Sequence, residues 1–138
     1  MPKRLLIVAG EAAESTESLP YGVVELIDAA DEVLVVTPAL PTRFEWLASA
    51  TDKAREHADE RLQAILGQIE DLGADAGGTV GADDPLLAFE DALAAFEADH
   101  ILVGLRPQQR ADWQERGLLD DLVGRFGLPI TVFALADE

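Results

Sequence analysis

The chain has 138 residues, the size of one ordinary domain, and no cysteine, which excludes disulfide frameworks, thiolate nucleophiles and cysteine-based zinc sites. Apolar residues make up 49% and charged residues 27%, the balance of a globular chain able to bury one core. The 27 acidic and 10 basic side chains leave a formal charge of −17; such a field repels phosphate backbones and anionic lipid, so neither nucleic acid nor a membrane is an expected partner.

The first element is the apolar run Leu5 to Ala9, ended by Gly10. Such a continuous run predicts a strand buried on both faces. It is too short for a secretory leader, and no stretch approaches the 18 or more apolar residues of a membrane span, so a cytoplasmic protein is expected. Glu11 to Ser18 is small and polar, a loop. Pro20 to Ala30 predicts a short helix with Pro20 in its first turn and Val23, Val24, Leu26 and Ile27 inward. Val33 to Thr37 is a second buried strand, followed by the irregular stretch from Pro38 to Ser49 with Phe44 and Trp46.

Thr51 to Leu72 predicts the longest helix. Ala54, Ala58, Leu62, Ile65, Ile69 and Leu72 recur at spacings of three and four, and Gly73 takes the place of a C′ residue. Ala74 to Val80 is a weak, glycine-rich strand suited to a sheet edge. Asp84 and Pro85 mark the next helix start, a capping carboxylate before proline, with Leu86, Phe89, Leu93 and Phe96 as its buried stripe. His100 to Gly104 is a third clear strand. Leu105 to Arg110 reads as a polar loop. Asp112 then caps a last helix carrying Leu118, Leu119, Leu122, Val123 and Phe126, ended by Gly127 and Pro129. Ile130 to Leu135 is the final strand.

Five strands alternating with four helices predict a single α/β domain over residues 1–138. The expected architecture is an open doubly wound parallel sheet with helices on both faces. In such sheets ligands bind beyond the carboxyl ends of the strands where the strand order reverses. That directs attention to the residues after the strands: Gly10 and Glu11, Thr37 and Pro38, Gly81 to Asp84, and above all the stretch from Gly104 through Arg106, Arg110, Arg116 and Gly117. Three arginines beside a helix start could hold an anion, or they could simply neutralise Asp112, Glu115, Asp120 and Asp121 at the surface.

The strand Ile101-Leu102-Val103-Gly104, the closing Gly127-Leu128-Pro129-Ile130-Thr131-Val132, and Val80-Gly81 followed by Asp84-Pro85 resemble the universal stress protein family over nearly the whole chain. Members that bind ATP carry glycine, two residues, glycine, nine residues, then glycine and serine or threonine. Here Gly104 and Gly117 match at the family's separation, while Pro107 and Leu118 depart. Pro107 has no N–H for a phosphate, and Leu118 has no hydroxyl. The family's acidic residue after the first strand aligns with Ala9 or Gly10, with Glu11 one or two places late. The resemblance implies the strand order 3-2-1-4-5, a site between the first and fourth strands, and a homodimer paired through the last strand.

The expected function is therefore a stress-response or regulatory module with a degraded nucleotide site and no assigned cofactor. The alternative is a regulator that binds ATP, another adenine nucleotide or another small phosphate-bearing ligand through Gly10, Glu11, Gly104, Arg106, Arg110, Arg116 and Gly117. No enzyme is expected. There is no nucleophile elbow or Ser–His–Asp set, and the last strand lacks the lysine that a phosphoacceptor receiver would need there. His57 reads as a surface imidazole, His100 as a strand-boundary residue, and Asp83 with Asp84 as helix capping. Trp46 and Trp113 read as core or dimer-contact residues, or as walls of a pocket near the strand ends.

Overall fold

The computed structural model describes residues 3–10, 19–38, 51–82, 85–115 and 117–135. Glu11, Phe44, Trp46, Asp83, Asp84 and Arg116 lie outside the described residues. The elements run β1 (Arg4–Ala9), α1 (Tyr21–Ala29), β2 (Glu32–Pro38), α2 (Thr51–Asp71), β3 (Gly77–Gly81), α3 (Pro85–Ala95), β4 (His100–Leu105), α4 (Pro107–Glu115), α5 (Leu118–Phe126) and β5 (Ile130–Ala134).

All pairings are parallel, and the strand order is β3-β2-β1-β4-β5. β1 is central, with Val8 level with Val36 of β2 and Val103 of β4. Its residues alternate between two cores. Leu5, Ile7 and Ala9 face the layer of α1 and α2, where Val23, Ile27, Leu62 and Ile65 are buried. Leu6 and Val8 face Phe89, Ala92, Trp113 and Leu122 from α3, α4 and α5. Burial on both sides is the reason these strands read as unbroken apolar runs.

The amino end of β1 is clamped from both flanks. Lys3 N–H donates to Asp31 Oδ2 at 2.7 Å while Asp31 N–H donates to the Lys3 carbonyl at 2.8 Å. Arg4 N–H and Asp99 exchange the equivalent pair at 3.0 and 2.8 Å. The Arg4 guanidinium stands 5.7 Å over the Phe96 ring. Its Nε is 2.9 Å from Glu32 Oε2, within ion-pair reach but without hydrogen-bond alignment.

α2 buries Ala58, Leu62, Ile65 and Ile69, the stripe expected from the sequence. Gly73, at φ +88°, ends it. Gly73 N–H donates to the Glu70 carbonyl and Ala74 N–H to that of Ile69, at 2.9 and 3.2 Å, the paired bonds of a Schellman cap. β3 is an edge strand, as its glycines suggested. A Cβ on Gly78 would lie 2.8 Å from Leu62 Cδ1, so the missing side chain lets α2 lie close on the edge.

The segment after β4 corrects the sequence reading. Residues 107–110, expected as loop, are helix, and Asp112 is inside α4 rather than capping a helix. Pro107 occupies the first helical position, where its missing N–H costs nothing and its fixed φ suits the helix. α4 shows no apolar stripe because Trp113 is its one buried side chain among those described. The described residues thus contain five helices where four were expected. Val123 is also corrected: it is 58% exposed, one position round the helix from buried Leu122. No helix among the described residues is long and apolar enough to cross a membrane.

Candidate functional site

The strand order reverses between β1 and β4, so the crevice beyond their carboxyl ends is where this architecture places a ligand. Ala9 and Gly104 are register partners there, and Gly10 follows directly. Both flanking residues are small, yet the space beside Gly104 is occupied. Gly104 pairs with Phe133 of β5, and a Cβ on it would stand 2.8 Å from Phe133 Cζ and 2.8 Å from Leu135 Cδ2. Phe133 and Leu135 are themselves buried. This glycine therefore accommodates the chain's own side chains.

Arg106 is the single residue between β4 and α4. Its carbonyl accepts the first helical bond, from Arg110 N–H at 2.9 Å. Arg106 and Arg110 are exposed and one helical turn apart, so the structure brings these two arginines together. Gly117 lies beyond the other end of α4, a separation of about 16 Å at the helical rise of 1.5 Å per residue. It has φ +70°, a left-handed conformation that breaks the chain into α4 and α5. Its N–H donates to the Gln114 carbonyl at 3.1 Å, and its carbonyl accepts from Asp121 N–H at 3.0 Å. The first turn of α5 carries Asp120 and Asp121, which already complement the positive end of its dipole.

Trp113 fixes α4 to the sheet. It is buried and meets Phe89 of α3 edge-on, with ring centroids 6.3 Å apart and planes at 72°. Phe126 of α5 is 6.5 Å from the same Phe89 ring, and the Arg125–Glu90 ion pair ties α5 to α3 outside them. Of the three fates considered for Trp113, core packing is the one observed.

Three features of this end of the sheet were not read from the sequence. Phe133 and Leu135 over Gly104 had a usable signal: an interior strand glycine marks close approach, and alternation along the predicted strand Ile130 to Leu135 puts residues 131, 133 and 135 on one side. Trp113 as a helix anchor had none, because a single buried residue makes no periodicity. The third is the state of the Thr37 hydroxyl; Thr37 itself is one of the expected strand-end positions, next along β2 from Val36, the register partner of Val8. It is fully buried, and its hydroxyl has no hydrogen-bond partner among the described residues.

His100 lies at the opposite end of β4 from the crevice. Its Nε2 is 2.8 Å from Thr131 Oγ1, and burial lowers its pKa below the usual 6.5. Among the described residues no group of three or more histidine, aspartate or glutamate side chains is placed to hold a metal.

Comparison with solved structures finds the same architecture. A universal stress protein from Archaeoglobus fulgidus in complex with dAMP superposes with a TM-score of 0.65 at 18% identity, covering 96% of this chain and 98% of the other. A universal stress protein in complex with cAMP gives 0.55 at 13%, covering 99% and 100%. A protein of the universal stress protein family from Burkholderia pseudomallei gives 0.59 at 18%, covering 96% of each chain. No family sequence model matches the chain, and no curated protein sequence matches it. At these identities the likeness is one of fold. The universal stress protein fold, with its 3-2-1-4-5 sheet, is the fold expected from the sequence.

Proposed function

We propose that the chain is a non-catalytic regulatory module of the universal stress type. In this reading it acts in the cytoplasm as a homodimer, and its glycine-spaced loop no longer serves a nucleotide phosphate. The observation that carries this reading is the winding of residues 107–115 into α4. Gly104 and Gly117 flank that helix, the Gly117 N–H is engaged by Gln114, and Pro107 has no N–H to offer. Asp120 and Asp121 add negative charge at the start of α5, which disfavours a phosphate at that helix end. Pairing through β5 is supported by its position at the sheet edge and by its half-buried Ile130 and Val132; an apolar edge strand left open invites aggregation.

The competing reading, an adenine-nucleotide regulator, draws on the dAMP and cAMP found with two proteins of this fold and on the adjacent Arg106 and Arg110. Calorimetric titration with magnesium-ATP and with AMP separates the two. The proposal expects no saturable heat up to millimolar nucleotide, together with a sedimentation mass twice the 14.8 kDa of the chain. Micromolar binding that disappears in the Arg106→Ala/Arg110→Ala double variant would establish the competing reading instead.

A further inference from the structure

The core between the sheet and its first two helices is incompletely filled. A partly open pocket of ≈ 30 Å³ lies beneath β1 and β4. Ile7, Ala9 and Leu102 form its floor, while Val23 and Ile27 of α1 and Ile65 of α2 form its roof. Phe133 and Leu135 close the β5 side. The space would admit about two waters, but a buried water needs two to four polar partners. Gln68 is the one polar side chain among the described lining residues. Walls this apolar offer little to water and favour an apolar guest.

The chemistry of the walls narrows the guest. None of the described lining residues is basic, so a carboxylate or phosphate head group would be buried without a partner. The net charge of −17 further disfavours anions. The movable wall is α1. It has nine residues, buries Val23 and Ile27, and has no side-chain hydrogen bond capping its start at Pro20. Neither its first turn carries an acid nor its last turn a base to complement the dipole. A helix this short is marginal without its packing.

We propose that this cavity is a binding site for a small, uncharged hydrocarbon-like molecule, admitted by displacement of α1. An apolar cavity of about 150 Å³ holds benzene, so the smaller space here suits a xenon-sized guest and an aromatic ring requires α1 to move. The inference deepens the reading of a module without a nucleotide phosphate, because it names the ligand class that the fold would take in its place. Its test does not involve Arg106, Arg110 or Gly117, so each proposal can fail alone.

The test is methyl NMR of the full chain under xenon pressure and during titration with benzene. Saturable shifts are expected at the methyls of Ile7, Ile27, Ile65 and Leu102. They should vanish in Ala9→Ile, which fills the cavity from a strand position that tolerates a β-branched side chain. If that variant does not fold, Val23→Phe blocks the same space from α1. Ile27→Ala should strengthen benzene binding by enlarging the cavity. Shifts that never saturate, that centre on exposed Leu87 and Val123, or that survive the filling variant would overturn the proposal.

Discussion

Gly104 of β4 and Phe133 of β5 are register partners, and the Phe133 ring occupies the place where a side chain on Gly104 would lie, 2.8 Å from its Cβ. A glycine that resembles part of a phosphate-binding motif is thus required by packing alone. Gly104→Ala should cost about 1–3 kcal/mol by overpacking, read as a lower urea midpoint without a change in slope. Combining it with Phe133→Leu should recover part of that loss, and strict additivity of the two variants would remove the packing explanation.

Trp113 is the buried anchor of α4, edge-on to Phe89. Trp113→Ala should lower stability by about 3–5 kcal/mol. A double-mutant cycle with Phe89→Leu should show a coupling of about 0.5–1.5 kcal/mol beyond the loss of area. A cost below 1 kcal/mol in denaturant unfolding would mean that α4 does not depend on this contact.

Glycines in and before α5 should respond with opposite signs. Gly117 has open space around it but φ +70°, so alanine there should cost about 1–2 kcal/mol through the left-handed backbone. Gly124 lies within α5 with nothing within 4 Å of an added Cβ. Gly124→Ala should stabilise by about 0.8–1.0 kcal/mol. Thermal unfolding of the two variants checks both signs at once.

The Thr37 hydroxyl is buried without a partner among the described residues. Thr37→Val keeps the shape and removes the orphaned group, so it should be neutral or stabilise by about 1 kcal/mol. A clear loss of stability would show that the hydroxyl has a partner in solution.

Burial lowers the pKa of His100 below its usual 6.5. The unfolded chain therefore takes up this proton first as pH falls. The contribution of neutral His100 is intact above pH 6.5, declines below it, and is fully lost beneath the folded-state pKa. Unfolding free energies between pH 5 and 7.5, compared with those of His100→Gln, isolate this dependence from the rest of the acidic chain. The wild type should lose more stability than the variant on acidification; equal slopes would contradict the assignment.

The fold was legible because β1, β2 and β4 are buried on both faces and therefore appear as unbroken apolar runs, and because α2 repeats its apolar positions over five turns. The Gly73 cap was legible for the same reason, at the end of a clear period. α4 was not. It buries Trp113 alone, its other described side chains are polar or small, and a proline at its start looks the same as a proline in a loop. The candidate site was legible only as spacing. Gly104 and Gly117 stand at the expected separation; a glycine inside a strand signals close approach beside Gly104, but nothing in the order of residues shows that the Gln114 carbonyl engages the Gly117 N–H. Glu11 and Arg116 lie outside the described residues.

The most direct test of the central claim is thermal unfolding of the full chain with and without millimolar ATP, ADP or AMP, each with magnesium. A ligand at 100 times its dissociation constant stabilises by about 2.7 kcal/mol, which for a domain of this size raises the midpoint by roughly 8 to 14 °C. A loop rebuilt as a helix predicts coincident curves across the panel. A shift of that size for one nucleotide, abolished by Arg106→Ala/Arg110→Ala, would contradict it and return the crevice between β1 and β4 to nucleotide binding.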